Sequence, residues 1–139
     1  MSAANSDNHN EYLFWLHTNT VFRFLSGEAW DSFKEWTITP IADDTWHHMA
    51  AVRDDTSNEV TLYVDGVSCG TKSMTLNTLS VTTGGLMLGQ EQDAVGGKFE
   101  QEQSFKGMMD DLRIYNRALR ASEVRELVHS TSGNTRKNP

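Results

Sequence analysis

The chain has 139 residues, with 12 lysines and arginines against 19 aspartates and glutamates, which gives a net charge of −7. This length suits one domain, and the acidic balance excludes a clustered basic face of the kind that binds nucleic acid. The longest apolar run covers residues 12–16, far fewer than the roughly 20 residues needed to cross a bilayer, so we expect no membrane insertion.

Most predicted elements are short strands. Val60, Leu62 and Val64 alternate with mainly polar residues and precede Asp65 and Gly66, a pattern typical of a half-buried strand that ends in a hairpin turn. Similar runs cover residues 12–17, 21–25, 33–38, 46–53, 76–81, 86–88 and 111–115. Because clusters of Gly, Asn, Asp and Ser separate these runs at short intervals, the sequence predicts an all-β antiparallel sandwich.

One short C-terminal helix completes the predicted elements. Val124, Leu127 and Val128 form an apolar stripe at helical spacing, and Ser122 is the expected N-cap,. The ends of the chain are polar, so we expect residues 1–9 and 130–139 to be flexible and residues 10–129 to form the domain,.

An acidic segment with two adjacent glycines covers residues 89–103. Its carboxylates are Glu91, Asp93, Glu100 and Glu102. If the strand that starts at residue 86 continues to residue 93, Glu91 and Asp93 share one face, and like charges repel unless a cation or a proton lies between them. Calcium suits such a set because it binds carboxylate, amide and carbonyl oxygens in flexible geometry. A solvated acidic loop is the alternative.

The same segment resembles the calcium loop of pentraxins. The matching positions are residues 88–93, 96–97, 99–100, 103–104 and 107. Residues 45–50, 62–66 and 110–119 resemble the wider laminin-G-like, concanavalin A-like group, so the similarity runs from about Asn10 to Val128. The resemblance implies a jelly-roll sandwich of the concanavalin A and pentraxin type.

The resemblance also implies one or two bound calcium ions. Carried over by position, the ligands of the ions would be Glu91, Asp93, Glu100, Gln103 and the backbone carbonyl of Gln92, with Asn10 for the first ion. His9 stands where the family has an aspartate, and a shifted loop would supply Asp7 instead. Trp15 falls near the place where the family lines its ligand pocket, and a buried core tryptophan is the alternative.

The function that the resemblance implies is binding without catalysis. The ligands would be phosphocholine, phosphoethanolamine or carbohydrate, held by calcium in a secreted homo-oligomer. A structural or adhesion module of an extracellular array, in which calcium stabilises the loop, is a second hypothesis. A glycoside hydrolase-related domain is a third, because paired carboxylates perform that chemistry, although no third acid follows Glu91 and Asp93 on the strand.

Two departures from the family pattern bear on assembly. The pentraxin disulfide cannot form, because Met49 takes one of its positions and Cys69 is the single cysteine. The similarity begins well inside the family domain, so we expect the C-terminal two thirds of a longer domain, or a second chain that supplies the missing strands.

Overall fold

The computed structural model describes residues 1–4, 12–27, 33–76 and 78–132. In these ranges the strands are β1 Ser2–Ala3, β2 Tyr12–Thr18, β3 Val21–Ser26, β4 Lys34–Thr37, β5 Met49–Asp54, β6 Glu59–Val64, β7 Val67–Ser73 and β8 Leu86–Met87. A 3₁₀ turn at Gln101–Gln103 and the helix α1 at Ala121–Ser132 follow. No helix among the described residues is long and apolar enough to cross a membrane.

The strands form two antiparallel sheets that enclose one apolar core. The first sheet has the order β4-β3-β2-β1-β8 and the second has the order β5-β6-β7. Phe22, Phe24 and Trp36 of the first sheet belong to the same buried cluster as Val60 and Leu62 of the second. The predicted all-β sandwich with one C-terminal helix is therefore confirmed.

The alternation along β2 gives the first sheet a core face and an outer face. Tyr12, Phe14 and Leu16 pack against the core cluster, so the side chains of Leu13 and Trp15 lie on the outer face. Leu13 pairs with Leu25, and both are buried. The outer face is therefore covered at the end of β2 that pairs with β1.

The Asp65–Gly66 turn joins β6 to β7 and supports the helix. Both residues have positive φ, 50° and 76°, as a two-residue type I′ hairpin requires. A Cβ atom on Gly66 would lie 3.2–3.3 Å from atoms of Arg125 and Val128, so α1 packs directly on this turn. Val124 on the same helix is fully buried.

The N-cap of α1 differs from the prediction. The carbonyl of Arg120 accepts a hydrogen bond from the Val124 N–H at 3.1 Å, and the Arg120 N–H donates to Glu123 Oε2 at 2.7 Å. The N-cap is therefore Arg120, two residues earlier than the expected Ser122, which lies inside the helix. The Glu123 side chain accepts from the N–H of the N-cap residue, which is one half of a capping box,.

Several strand boundaries also differ. β5 begins at Met49, three residues later than predicted, and the described parts of residues 76–81 and 111–115 contain no strand. Asp111 has a φ of 52° and pairs with Arg113 through two 2.8 Å hydrogen bonds, which interrupts the extended run. β1 was not predicted, because the sequence around it is polar.

Candidate functional site

The acidic loop of residues 88–107 is held in shape by the side chain of Gln92. This side chain is fully buried. Its Nε2 donates to the Gly85 carbonyl at 2.6 Å, and its Oε1 accepts from the Gly96 N–H at 2.8 Å. Gln92 therefore ties the Ala94–Gly97 turn, which is closed by a 2.9 Å backbone hydrogen bond, to the segment that leads into β8.

Gln90 holds the returning half of the loop against the outgoing half. Its Nε2 donates to the Glu100 carbonyl at 2.8 Å, and its Oε1 accepts from Ser104 Oγ at 2.5 Å. The Phe105 N–H also donates to the Gly89 carbonyl at 2.7 Å. Gln90 is thus a positioning residue that our sequence reasoning missed, because only the folded loop shows which backbone groups its amide reaches.

Two of the other loop carboxylates raise the pKa of Glu91. Burial raises the pKa of Glu91 to about 7, with further contributions from the charges of Asp93 and Glu100. Glu102 does not contribute. Glu100 is fixed on the returning limb, where its Oε2 accepts a hydrogen bond from Gln103 Nε2 at 3.2 Å. The loop therefore holds two like charges near a desolvated carboxylate. β8 ends at Met87, so the strand to residue 93 that we expected to place Glu91 and Asp93 on one face does not form.

The donor types in this loop fit calcium. Carboxylates, a side-chain amide and backbone carbonyls are the hard oxygen ligands that calcium takes. Among the described residues, no group of three His, Cys, Asp or Glu side chains is already closed around a metal position. Like-charged carboxylates repel one another unless a cation or a proton lies between them. The predicted ligands Asp7 and Asn10, with His9, lie outside the described residues.

Trp15 lies on the outer face of the first sheet, within an aromatic and cationic row. Its partner across the ladder is Arg23, and the ring centroids of Trp15 and Phe33 are 6.3 Å apart in an edge-to-face arrangement. Arg23 also forms an ion pair with Glu35. Since Trp15 is partly exposed and points away from the core cluster, it is not a core tryptophan. Its contact with a ligand stays a prediction.

A second polar cluster lies around the Asp65–Gly66 turn. His47 Nδ1 is 2.8 Å from Asp65 Oδ2, and its Nε2 is 3.1 Å from Asp43 Oδ1. The hydrogen bonds with Asp65 and Asp43 raise the pKa of His47. Asp65 Oδ1 also accepts the His48 N–H at 2.9 Å. These hydrogen bonds hold the segment before β5 against the β6–β7 turn, which is a structural role.

Comparisons with known proteins agree with this fold. A family model described as the concanavalin A-like lectin/glucanases superfamily matches residues 1–125. Human Pentraxin-4 is 33% identical over 131 residues, which cover 91% of this chain and 27% of that protein. C-reactive protein 1.4 of Limulus polyphemus is 36% identical over 122 residues, 86% of this chain and 50% of that protein.

A solved structure gives the same result for the fold. The native heptameric SAP-like pentraxin of Limulus polyphemus superimposes with a TM-score of 0.76 at 24% identity, over 91% of this chain and 60% of that chain. The chain spans about half or less of the length of its curated relatives, Pentraxin-4 and C-reactive protein 1.4. The predicted resemblance to pentraxins and laminin-G-like domains is confirmed.

Proposed function

The chain belongs to the concanavalin A-like lectin/glucanases superfamily, and on that premise we propose that it is a calcium-dependent binding module without catalytic activity. The observation that carries the proposal is the position of the partly buried Glu91 carboxylate near Asp93 and Glu100. Burial and the charges of these two neighbours raise the pKa of Glu91 to about 7. A buried carboxylate beside two others is costly unless a cation or a proton neutralises it. The resemblance of residues 88–107 to the calcium loop of pentraxins supports calcium as that cation.

Each loop residue has a proposed role. Glu91 and Asp93 would bind both ions, and Glu100 and Gln103 would complete the second. The side chain of Gln92 is fully used in holding the loop, so only its backbone carbonyl is offered to the metal. Asp7 and Asn10 are proposed for the first ion from the sequence alone.

The proposed mechanism is ligand capture by the metal. Bound calcium supplies positive charge and open coordination positions to the anionic or hydroxyl oxygens of a ligand. Phosphocholine, phosphoethanolamine and carbohydrate all carry such oxygens and are the proposed ligand classes. The proposed context is a secreted homo-oligomer. In that context a dissociation constant for calcium of about 10⁻⁴ to 10⁻³ M would suffice, as in other extracellular calcium modules.

The test is a calorimetric calcium titration of the chelator-stripped protein. We expect saturable calcium binding that is lost in Glu91→Gln and retained in Glu102→Gln, which makes the same substitution at an exposed position of the same loop. Addition of phosphocholine, phosphoethanolamine or a sugar at saturating calcium then tests ligand uptake. Absence of calcium heat in the wild-type protein, or equal loss in both variants, would contradict the proposal.

A second candidate function, assembly, is favoured by a row of exposed apolar side chains. They are Phe99, Phe105, Met108, Met109, Leu112, Ile114 and Tyr115. Met108 is 76% exposed and Ile114 is 64% exposed. A run of this kind is typical of a protein–protein contact, and a strand from another chain could pair with residues 111–115.

Ligand uptake at saturating calcium separates the two functions, and light scattering tests assembly itself. An assembly module would form oligomers that Ile114→Lys dissociates and that Leu79→Lys, at another exposed apolar position, leaves intact. It would also bind calcium without taking up phosphocholine or sugar. A monomer at all concentrations would argue against assembly.

A further inference from the structure

The outer face of the first sheet carries a continuous row of side chains across three strands. Trp15 on β2 pairs with Arg23 on β3, and Arg23 pairs with Glu35 on β4. Phe33 lies two residues before Glu35 and therefore on the same face. The row combines two aromatic rings with one ion pair.

The guanidinium group of Arg23 occupies the space at both rings. Its Cζ is 4.3 Å from the Phe33 ring centroid and 6.0 Å from that of Trp15, within the range of cation–π attraction. Two of its nitrogens, Nε and Nη2, also contact Glu35. The positive charge of Arg23 therefore already lies at both aromatic rings and at the Glu35 carboxylate. The remaining guanidinium nitrogen, Nη1, carries the N–H donors that do not contact Glu35.

The row lies beside the acidic loop. Leu13 is two residues from Trp15, about 7 Å along the strand, and its partner Ser2 is about 5 Å across the ladder,. Directly paired residues share a face, and Ser2 Oγ donates to the Gln90 carbonyl at 3.2 Å. Gln90 immediately precedes Glu91, so the acidic loop and the Arg23 row lie at the same face of the first sheet.

We propose that Arg23 determines the ligand class of the calcium site by occupying the aromatic faces that a quaternary ammonium group would need. The site then selects ligands by their oxygens, whether phosphate, carboxylate or sugar hydroxyl, and excludes the choline group. Cation–π recognition of choline requires an open aromatic face, and a second cation next to Arg23 is repelled. The calcium-bound part of this inference rests on the proposed function, whereas the exclusion of choline does not.

The first experiment uses choline chloride without calcium, observed by saturation-transfer NMR. We expect no transfer to choline from the wild-type protein and clear transfer from Arg23→Gln. Lys72→Gln removes the same charge from an exposed position on the other sheet and should behave as wild type. Arg23→Thr, a short strand-forming residue that also uncovers the rings, replaces Arg23→Gln if circular dichroism shows that the latter is unfolded.

The second experiment compares phosphocholine with ethyl phosphate at saturating calcium. We expect the wild-type protein to bind phosphocholine no more tightly than ethyl phosphate. We expect Arg23→Gln to prefer phosphocholine by roughly five- to thirtyfold, the range of a cation–π contact. Wild-type binding of choline, or a folded Arg23 variant that gains none, would overturn the inference. If neither phosphate binds to the wild-type protein, the proposed function fails, and the calcium-free choline result still decides the role of Arg23.

Discussion

Replacement of Gln92 by leucine is expected to loosen the acidic loop from the sheet. Leucine keeps the buried volume but removes two hydrogen bonds, those to the Gly85 carbonyl and from the Gly96 N–H. Gly85 keeps the Ala4 N–H as a donor at 2.8 Å, and Gly96 is exposed to water, so neither backbone group is left without a partner. The expected cost is therefore that of two ordinary hydrogen bonds, about 1–3 kcal/mol in total.

Urea and thermal unfolding measure this cost directly. For a domain of this size a loss of 1–3 kcal/mol lowers the Tm by about 4–12 °C. Gln101→Leu makes the same change at an exposed position of the same loop and should shift the unfolding free energy by less than about 0.5 kcal/mol. Calcium affinity should fall in Gln92→Leu and stay unchanged in Gln101→Leu. Equal unfolding free energies for the two variants would refute the role that we assign to the Gln92 side chain.

Three further predictions concern the hairpin turn, a histidine and the metal loop. Gly66→Ala should lower the unfolding free energy by about 1 kcal/mol more than Gly84→Ala. Both positions have similar positive φ, 76° and 81°, but only a Cβ on Gly66 would press onto α1. Equal losses in urea titrations would rule out that contact. The raised pKa of His47 means that its contribution to stability is complete below its unfolded pKa of about 6.5 and is lost as the pH rises through the folded pKa. The unfolding free energy of the wild-type protein should therefore decline above about pH 6.5, and His47→Gln should remove this decline. The same pH profile in both proteins would count against the hydrogen bond between His47 and Asp65. The pKa of Glu91 is about 7, so calcium must displace a proton from this carboxyl at lower pH. Calcium affinity should therefore fall about tenfold from pH 8 to pH 6. A constant affinity over that range in calorimetry would exclude proton release from Glu91.

The sequence by itself determined the features that depend on local periodicity and local chemistry. The alternation of Val60, Leu62 and Val64 predicts β6, and the following Asp65–Gly66 pair predicts the hairpin turn that the structure contains. The acidic loop was also found from spacing, because its three interacting carboxylates lie within ten residues of one another. In these cases the residues that act together are neighbours in the chain.

Only the tertiary structure decided the features that depend on distant partners. Residues 111–115 have the composition of a strand, but a strand forms only where a second strand offers its backbone groups, and none among the described residues does so. The buried Gln92 side chain holds the loop because the fold brings the Gly85 carbonyl within hydrogen-bond distance of its amide. Arg23 covers the rings of Trp15 and Phe33 because strand register brings three separate segments into one row. Hydrogen bonds and cation–π contacts between remote residues leave no period in the sequence, so their geometry appears only when the sheets have formed.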